Sequence, residues 1–259
     1  MKILAINSSF RGNKGYTKYL IDKLFDGAKE AGADCELINL SELNIKQCID
    51  CQVCQTETHF LQCIHKDDAA MVYDKMRAAD LIVFATPVYV FSMSSLLRIL
   101  MERYYFTCKM SVFSFTKSGL FFHNVDKRIC SKPFAVLITC DNTMDETPQS
   151  IIDYFKIYSK FMDAKLAGIL VRKSGSLVGH GKEPEKEAKY PAILDIYDAY
   201  RQAGSELAAR GQIERKTLKR ANKPLVQIPP LAKLMMRFPF VQKEVEKRFA
   251  LSMETAIKR

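Results

Sequence analysis

Four cysteines carry the densest chemistry in the chain. Cys48, Cys51 and Cys54 form a C-x2-C-x2-C run, and eight residues separate Cys54 from Cys63. Three thiolates at this spacing converge readily on one face of a cluster, and a distal fourth completes the ligation of [4Fe–4S]. Two other readings stand beside this one: zinc, with His59 or His65 replacing a thiolate, and free thiols with no metal. A second stretch, Asn7-Ser8-Ser9-Phe10-Arg11-Gly12-Asn13-Lys14-Gly15-Tyr16-Thr17, suits an anion. It follows the apolar run Ile3–Ile6 and precedes a segment of helical period, so the first N–H groups of the helix, with the positive end of its dipole, face the loop. The hydroxyls of Ser8, Ser9 and Thr17 and the charges of Arg11 and Lys14 add to it. A phosphate is the expected guest.

The elements that must hold these residues follow from periodicity. Leu20, Ile21, Leu24, Phe25 and Ala28 recur at helical spacing, which predicts a helix over 16–31, and a strand is expected over 35–40. Asp67 or Asp68 can cap the next helix, with Met71, Val72 and Met76 inward. Residues 81–87 are almost continuously apolar, as in a strand buried on both faces, and 92–104 read as a helix. The aromatics from Tyr104 to Phe122 read as an irregular stretch of core or dimer contacts. Strands at 135–140 and 165–171 and helices from Ile151 and over 192–210, closed by Gly211, complete the pattern. Alternating strands and helices specify an α/β fold, a doubly wound five-stranded parallel sheet of flavodoxin-like order 2-1-3-4-5. Ligands then bind outside the strand carboxyl ends at the switch between the first and third strands. This brings Asn7–Thr17 and Thr86–Ser92 to one crevice, suited to a planar mononucleotide.

Both common nucleotide fingerprints fail. The glycines of the first loop are Gly12 and Gly15 alone, the second strand ends Asn39-Leu40-Ser41 without an acid, and no Walker Gly-Lys-Ser/Thr is present. Only four apolar residues stand between Lys2 and Asn7, too few for a signal-peptide core, and no apolar run reaches bilayer length. The expected location is the cytoplasm, where the eight cysteines are not a disulfide framework. Cys35, Cys108, Cys130 and Cys140 are isolated and read as small core hydrophobes.

At Asn7-Ser8-Ser9-x-Arg11 with Thr17, at the cysteine loop ending in Asp67-Asp68, at Ala79–Tyr89 and at Arg103, the chain resembles the flavodoxin-like NAD(P)H-dependent FMN reductases, and within them the iron–sulfur flavoproteins. The similarity covers roughly residues 1–210. It implies FMN, with its phosphate on Ser9, Arg11, Tyr16 and Thr17 and its ring along Thr86, Pro87, Val88, Tyr89, Val90, Phe91 and Ser92. It also points to the cluster reading for Cys48, Cys51, Cys54 and Cys63, and to a homodimer or higher oligomer. The loop after the fourth strand, often Gly-rich in the family, is Thr139-Cys140-Asp141-Asn142 here. The expected function is an FMN-dependent oxidoreductase that accepts hydride from NAD(P)H and passes electrons to an unidentified acceptor, through a [4Fe–4S] cluster if one is bound. The alternative is an FMN/Fe–S electron carrier or redox sensor without nicotinamide turnover. The chemistry would be centred on the flavin, with no catalytic side chain required.

The net charge of +10 is concentrated at the carboxyl end, where Arg215–Arg259 holds 12 Lys/Arg against three Glu. An FMN domain over 1–211 and a basic extension over 212–259 are expected. The extension has an apolar, basic stretch from Leu225 to Phe240. Its preferred reading is packing on the parent domain or a symmetry mate, with an anionic membrane surface as the other. No nucleic-acid motif accompanies the charge.

Overall fold

The computed structural model describes residues 1–178, 191–226 and 230–247. It has two compact units, Met1–Leu225 and Val226–Arg259. The first runs through β1 (Lys2–Asn7), α1 (Tyr16–Glu30), β2 (Asp34–Asn39), α2 (Ala69–Ala78), β3 (Leu81–Tyr89), β4 (Ser92–Met93) and α3 (Ser95–Glu102). There follow β5 (Cys108–Phe115), β6 (Phe121–Val125), α4 (Lys127–Cys130), β7 (Phe134–Thr139), α5 (Gln149–Phe161), β8 (Leu166–Arg172), α6 (Ala192–Arg210) and α7 (Arg215–Ala221).

The parallel strands lie in the order β2-β1-β3-β7-β8, with β4 folded back antiparallel on β3. Without the short strands β4 to β6 this is the expected 2-1-3-4-5 order. The register sets Ile3 between Cys35 and Leu81, and Leu137 between Ala85 and Leu170. β1 and β7 are buried almost end to end because helices cover both sheet faces. Alternate residues feed two cores. Ile3, Ala5, Leu81, Val83 and Leu137 meet α1 and α6, while Leu4, Ile6, Ile82, Phe84 and Val136 meet α2, α3 and α5.

Helices α1 and α6 approach closely through two glycines. A Cβ at Gly204 would overlap the Leu24 carbonyl, and one at Gly27 the Arg201 carbonyl. Neither backbone can yield without parting the helices, so Gly204→Ala should destabilise the protein by about 1–3 kcal/mol, read as a lower urea midpoint.

Two expectations are corrected. The helix read over 92–104 begins only at Ser95, capped by the Ser94 hydroxyl, which accepts from the Leu96 N–H at 3.2 Å. The stretch read as irregular instead contains an antiparallel hairpin of β5 and β6. Its Phe113, Phe115 and Phe121 are exposed, with the Phe113 and Phe121 rings stacked at 4.9 Å. The compact first unit extends past Gly211 as far as Leu225.

Several contacts hold that last segment. The Ile213 N–H donates to the Ala167 carbonyl at 2.9 Å. The Asn222 amide accepts from the Val171 N–H at 2.7 Å and donates to the Ile169 carbonyl at 3.0 Å. Glu206 accepts from the Glu214 N–H and the Thr217 hydroxyl at the start of α7. The buried Arg172 donates to the Ala221 and Lys223 carbonyls at its end. Both termini of this short helix therefore find side-chain partners.

The second unit contains α8 (Pro230–Met235), and residues 239–247 are helical. Among the described residues no helix is long and apolar enough to cross a membrane.

Candidate functional site

The carboxyl ends of β1, β3, β7 and β8 enclose a crevice lined by Ser9, Arg11, Tyr16, Thr17, Pro87, Val88, Tyr89, Thr139, Cys140, Asp141 and Gly175. Seven of the residues expected at the nucleotide therefore meet in one cavity. Asn7 and Ser8 hold the loop from below. The Asn7 amide donates to the Gly12 carbonyl at 3.3 Å and to Asn39 Oδ1 at 3.0 Å, and its own oxygen accepts from the Ser9 N–H at 3.1 Å. The Ser8 hydroxyl donates to the Ala85 carbonyl at 3.0 Å, tying the loop to β3. Asn39, where a dinucleotide fold carries an acid, serves here as a brace.

The N-cap of α1 is Gly15, which offers its first turn no side-chain cap. A Cβ at Gly15 would stand 2.8 Å from the Ser9 hydroxyl, so the glycine keeps the cradle open. The Arg11 guanidinium lies over the Tyr16 ring at 5.5 Å from its centroid, which orients the cation at the rim. The Thr17 hydroxyl shares a hydrogen bond with Thr139 at 2.8 Å on the buried floor. An uncapped helix N-terminus, a flanking cation and hydroxyl donors fit a phosphate monoester.

The remaining expected positions fall outside this lining. Thr86 is buried, and its hydroxyl accepts from the Ser94 N–H at 3.0 Å and donates to the Pro87 carbonyl. Val90, Phe91 and Ser92 form the tip between β3 and β4. Val90 is 90% exposed, and both Val90 (φ 47°) and Phe91 (φ 63°) adopt left-handed backbone, costly for a β-branched residue. Phe10 beside the Tyr89 ring (6.0 Å) and Gly175 after β8 were not expected at the site. Both lie beyond strand carboxyl ends, the signal by which they could have been found. Cys140 lines the crevice rather than the core proper, and burial pushes its thiol up to about 11, so it stays protonated at neutral pH. Cys35 is only half-buried, whereas Cys108 and Cys130 are buried as expected.

Cys48, Cys51, Cys54 and Cys63 line a second cavity together with His65, Arg103, Tyr105 and Phe106. His65 lines the same cavity as the thiols, whereas the exposed His59 bonds Thr58 through Nδ1 at 2.9 Å. Among the described residues no three His, Cys, Asp or Glu side chains stand as a ready metal site. The thiols share a cavity rather than a coordination sphere. As a donor set, four sulfurs around one cavity beside a buried cation suit a thiolate-ligated cluster.

The loop is fastened at both ends. Asp67 accepts from the Lys46 N–H at 3.0 Å, and Asp68 from the Asn44 N–H at 2.7 Å. Gln55 donates to the Cys108 carbonyl at 2.9 Å and accepts from the Met110 N–H at 3.1 Å. Arg103 Nη1 reaches Asp67 at 2.7 Å and the Lys46 carbonyl at 2.8 Å, and both ionic side chains are 2% exposed. Burial would raise the Asp67 carboxyl, but the Arg103 hydrogen bond and the amides of Lys46 and Ala69 outweigh it and hold it below its ordinary value.

Residues 1–123 match the family model described as NADPH-dependent FMN reductase. Over 103 residues the chain is 36% identical to the iron–sulfur flavoprotein of Archaeoglobus fulgidus and 33% identical to that of Methanosarcina thermophila. These alignments take in 40% of this chain and 48% and 52% of those proteins, so the chain spans about half the length of the curated relatives it matches. A putative quinone reductase from Klebsiella pneumoniae superposes with a TM-score of 0.60 at 14% identity, over 81% of this chain and 85% of that one. An FMN-dependent NADH-azoreductase from Bacillus anthracis, solved with FMN, gives 0.54 at 15%, over 80% and 99%. At such identities the structures speak for the fold, which is flavodoxin-like. Over its N-terminal portion the chain is similar to the FMN reductases and the iron–sulfur flavoproteins.

Proposed function

We propose that the chain is an FMN-dependent oxidoreductase that accepts hydride from NAD(P)H and delivers electrons to an acceptor, and that Cys48, Cys51, Cys54 and Cys63 would hold a [4Fe–4S] cluster, which when bound would supply one-electron chemistry. The observation that carries this reading is the meeting of Ser9, Arg11, Tyr16 and Thr17 with Pro87, Val88 and Tyr89 in one crevice. FMN, when bound, supplies the hydride-accepting chemistry. Arg11, Ser9 and the α1 N-terminus would hold its phosphate, Tyr16 would steady Arg11, and the Pro87–Tyr89 edge would orient the ring. Thr86 acts from behind by fixing the turn through Ser94, and the tip Val90-Phe91-Ser92 would border the ring's outer side.

Purified protein should retain oxidised-flavin absorbance, and NADH or NADPH should bleach it rapidly under anaerobic conditions. Bleaching only by a reduced ferredoxin would favour an electron carrier or redox sensor instead. Absence of flavin bands after loading with FMN would overturn the assignment. Anaerobic preparations should contain iron and acid-labile sulfide, and Cys54→Ser should lose both while keeping its FMN. Zinc in their place, or no metal, would overturn the cluster alone. The exposed Phe113, Phe115 and Phe121 face supports a homodimer of the cytoplasmic protein.

A further inference from the structure

The second unit exposes an unusual amount of apolar surface. Leu231 (67%), Leu234 and Met235 of α8 follow the i, i+3, i+4 spacing that places them on one helix face. Phe238 and Phe240 (70%) follow at the start of the next helical segment, their rings 5.9 Å apart and exposed, with Val245 further along. Transfer of such side chains from water to an apolar environment is favourable, so a surface of this kind calls for a partner.

The charges interleaved with these residues indicate what that partner is. Arg237 lies between Met236 and Phe238, and Lys243 and Lys247 follow Phe240. Within 231–247 the sequence holds Lys233, Arg237, Lys243 and Lys247 against Glu244 and Glu246. A second protein surface would need apolar complementarity but no such excess of cations. An anionic bilayer interface satisfies both features at once: acyl chains accept the phenylalanines and leucines, and lipid phosphates neutralise the lysines and arginines. Pro230 and Pro239 open two helical pieces, and among the described residues neither is long and apolar enough to span the hydrocarbon, so the unit would lie in the plane of the surface.

We propose that residues 231–247 are an interfacial anchor that attaches this protein to membranes containing anionic phospholipid. The anchoring is independent of the flavin reading, since it depends on none of the crevice residues.

Flotation of the full-length protein with phosphatidylcholine vesicles, with and without phosphatidylglycerol, tests it. Binding is expected on the anionic vesicles and should fall as salt is raised. Phe238→Asp with Phe240→Asp should reduce bound protein by at least about tenfold, since two ring burials are lost. Lys243→Glu with Lys247→Glu should remove much of the salt-sensitive part. Because these side chains are exposed, the variants should keep the wild-type urea midpoint and flavin content, separating lost anchoring from lost folding. Three outcomes overturn the proposal: wild-type protein that fails to float with anionic vesicles, an Asp variant that floats equally, or equal binding to neutral and anionic vesicles. A wild-type oligomer that the Asp variant dissociates, with no vesicle binding by either, would assign the same face to a second copy of the chain.

Discussion

Arg11→Ala should weaken FMN retention by about 10- to 100-fold, the loss expected for a charge-assisted hydrogen bond to phosphate. Arg11 lines the crevice and is steadied by the Tyr16 ring, whereas the neighbouring Lys14 is exposed and outside the lining. Lys14→Ala should therefore cost several-fold less. Fluorescence titration of apoprotein with FMN separates the two, and riboflavin, lacking the phosphate, should show no difference between wild type and Arg11→Ala. Equal losses for Lys14→Ala and Arg11→Ala would move the phosphate away from the rim that Tyr16 supports. The fold should be unaffected, because Asn7 and Ser8, not Arg11, brace the loop.

The second large effect concerns stability. Asp67→Ala would leave the Arg103 guanidinium buried without its counter-charge and should destabilise the protein by about 3–5 kcal/mol in urea unfolding. Replacing both partners by apolar residues of similar size should cost clearly less than removing Asp67 alone, because no charge is then stranded. The pair also sets an acid sensitivity. Asp67 titrates below its unfolded value, so its contribution is fully present above about pH 4 and disappears as pH falls through the depressed folded value. Urea midpoints of the wild type should drop over that acid range more steeply than those of the doubly apolar variant. The same substitution should loosen the cysteine loop, since Asp67 also receives the Lys46 N–H.

The legible and illegible parts of the molecule divide along a physical line. β1, β3 and β7 could be read because strands covered on both faces need unbroken apolar runs, and α1 because its inward stripe is uninterrupted. The phosphate cradle was legible for a similar reason: the loop and the helix start that form it are contiguous. Thr139, Cys140 and Gly175 join the same crevice from strands far along the chain, so their meeting follows from the strand order and not from any local pattern. The β5–β6 hairpin is not legible because Phe113, Phe115 and Phe121 are exposed and break the alternation that marks a half-buried strand. In the cysteine loop the spacing was plain, but its fastening by Gln55, Asp67 and Arg103 depends on tertiary hydrogen bonds alone.

The placement of Ile213 and Asn222 along β8 has a consequence for life at high concentration. An outermost strand presents unpaired donors and acceptors that can recruit a strand from another molecule. Here the Ala167 and Ile169 carbonyls and the Val171 N–H are already engaged, two of them by a side-chain amide. An amide on a side chain offers the same donor and acceptor as a peptide group, but no backbone continues from it to seed another strand. The segment after Gly211 thus works as a stopper that ends the sheet. At the opposite margin, β2 carries Glu36 paired with Lys2 and Lys75, and charge there discourages addition of another strand. One fold guards its two borders by different means, a hydrogen-bonded plug on one side and a charged fence on the other.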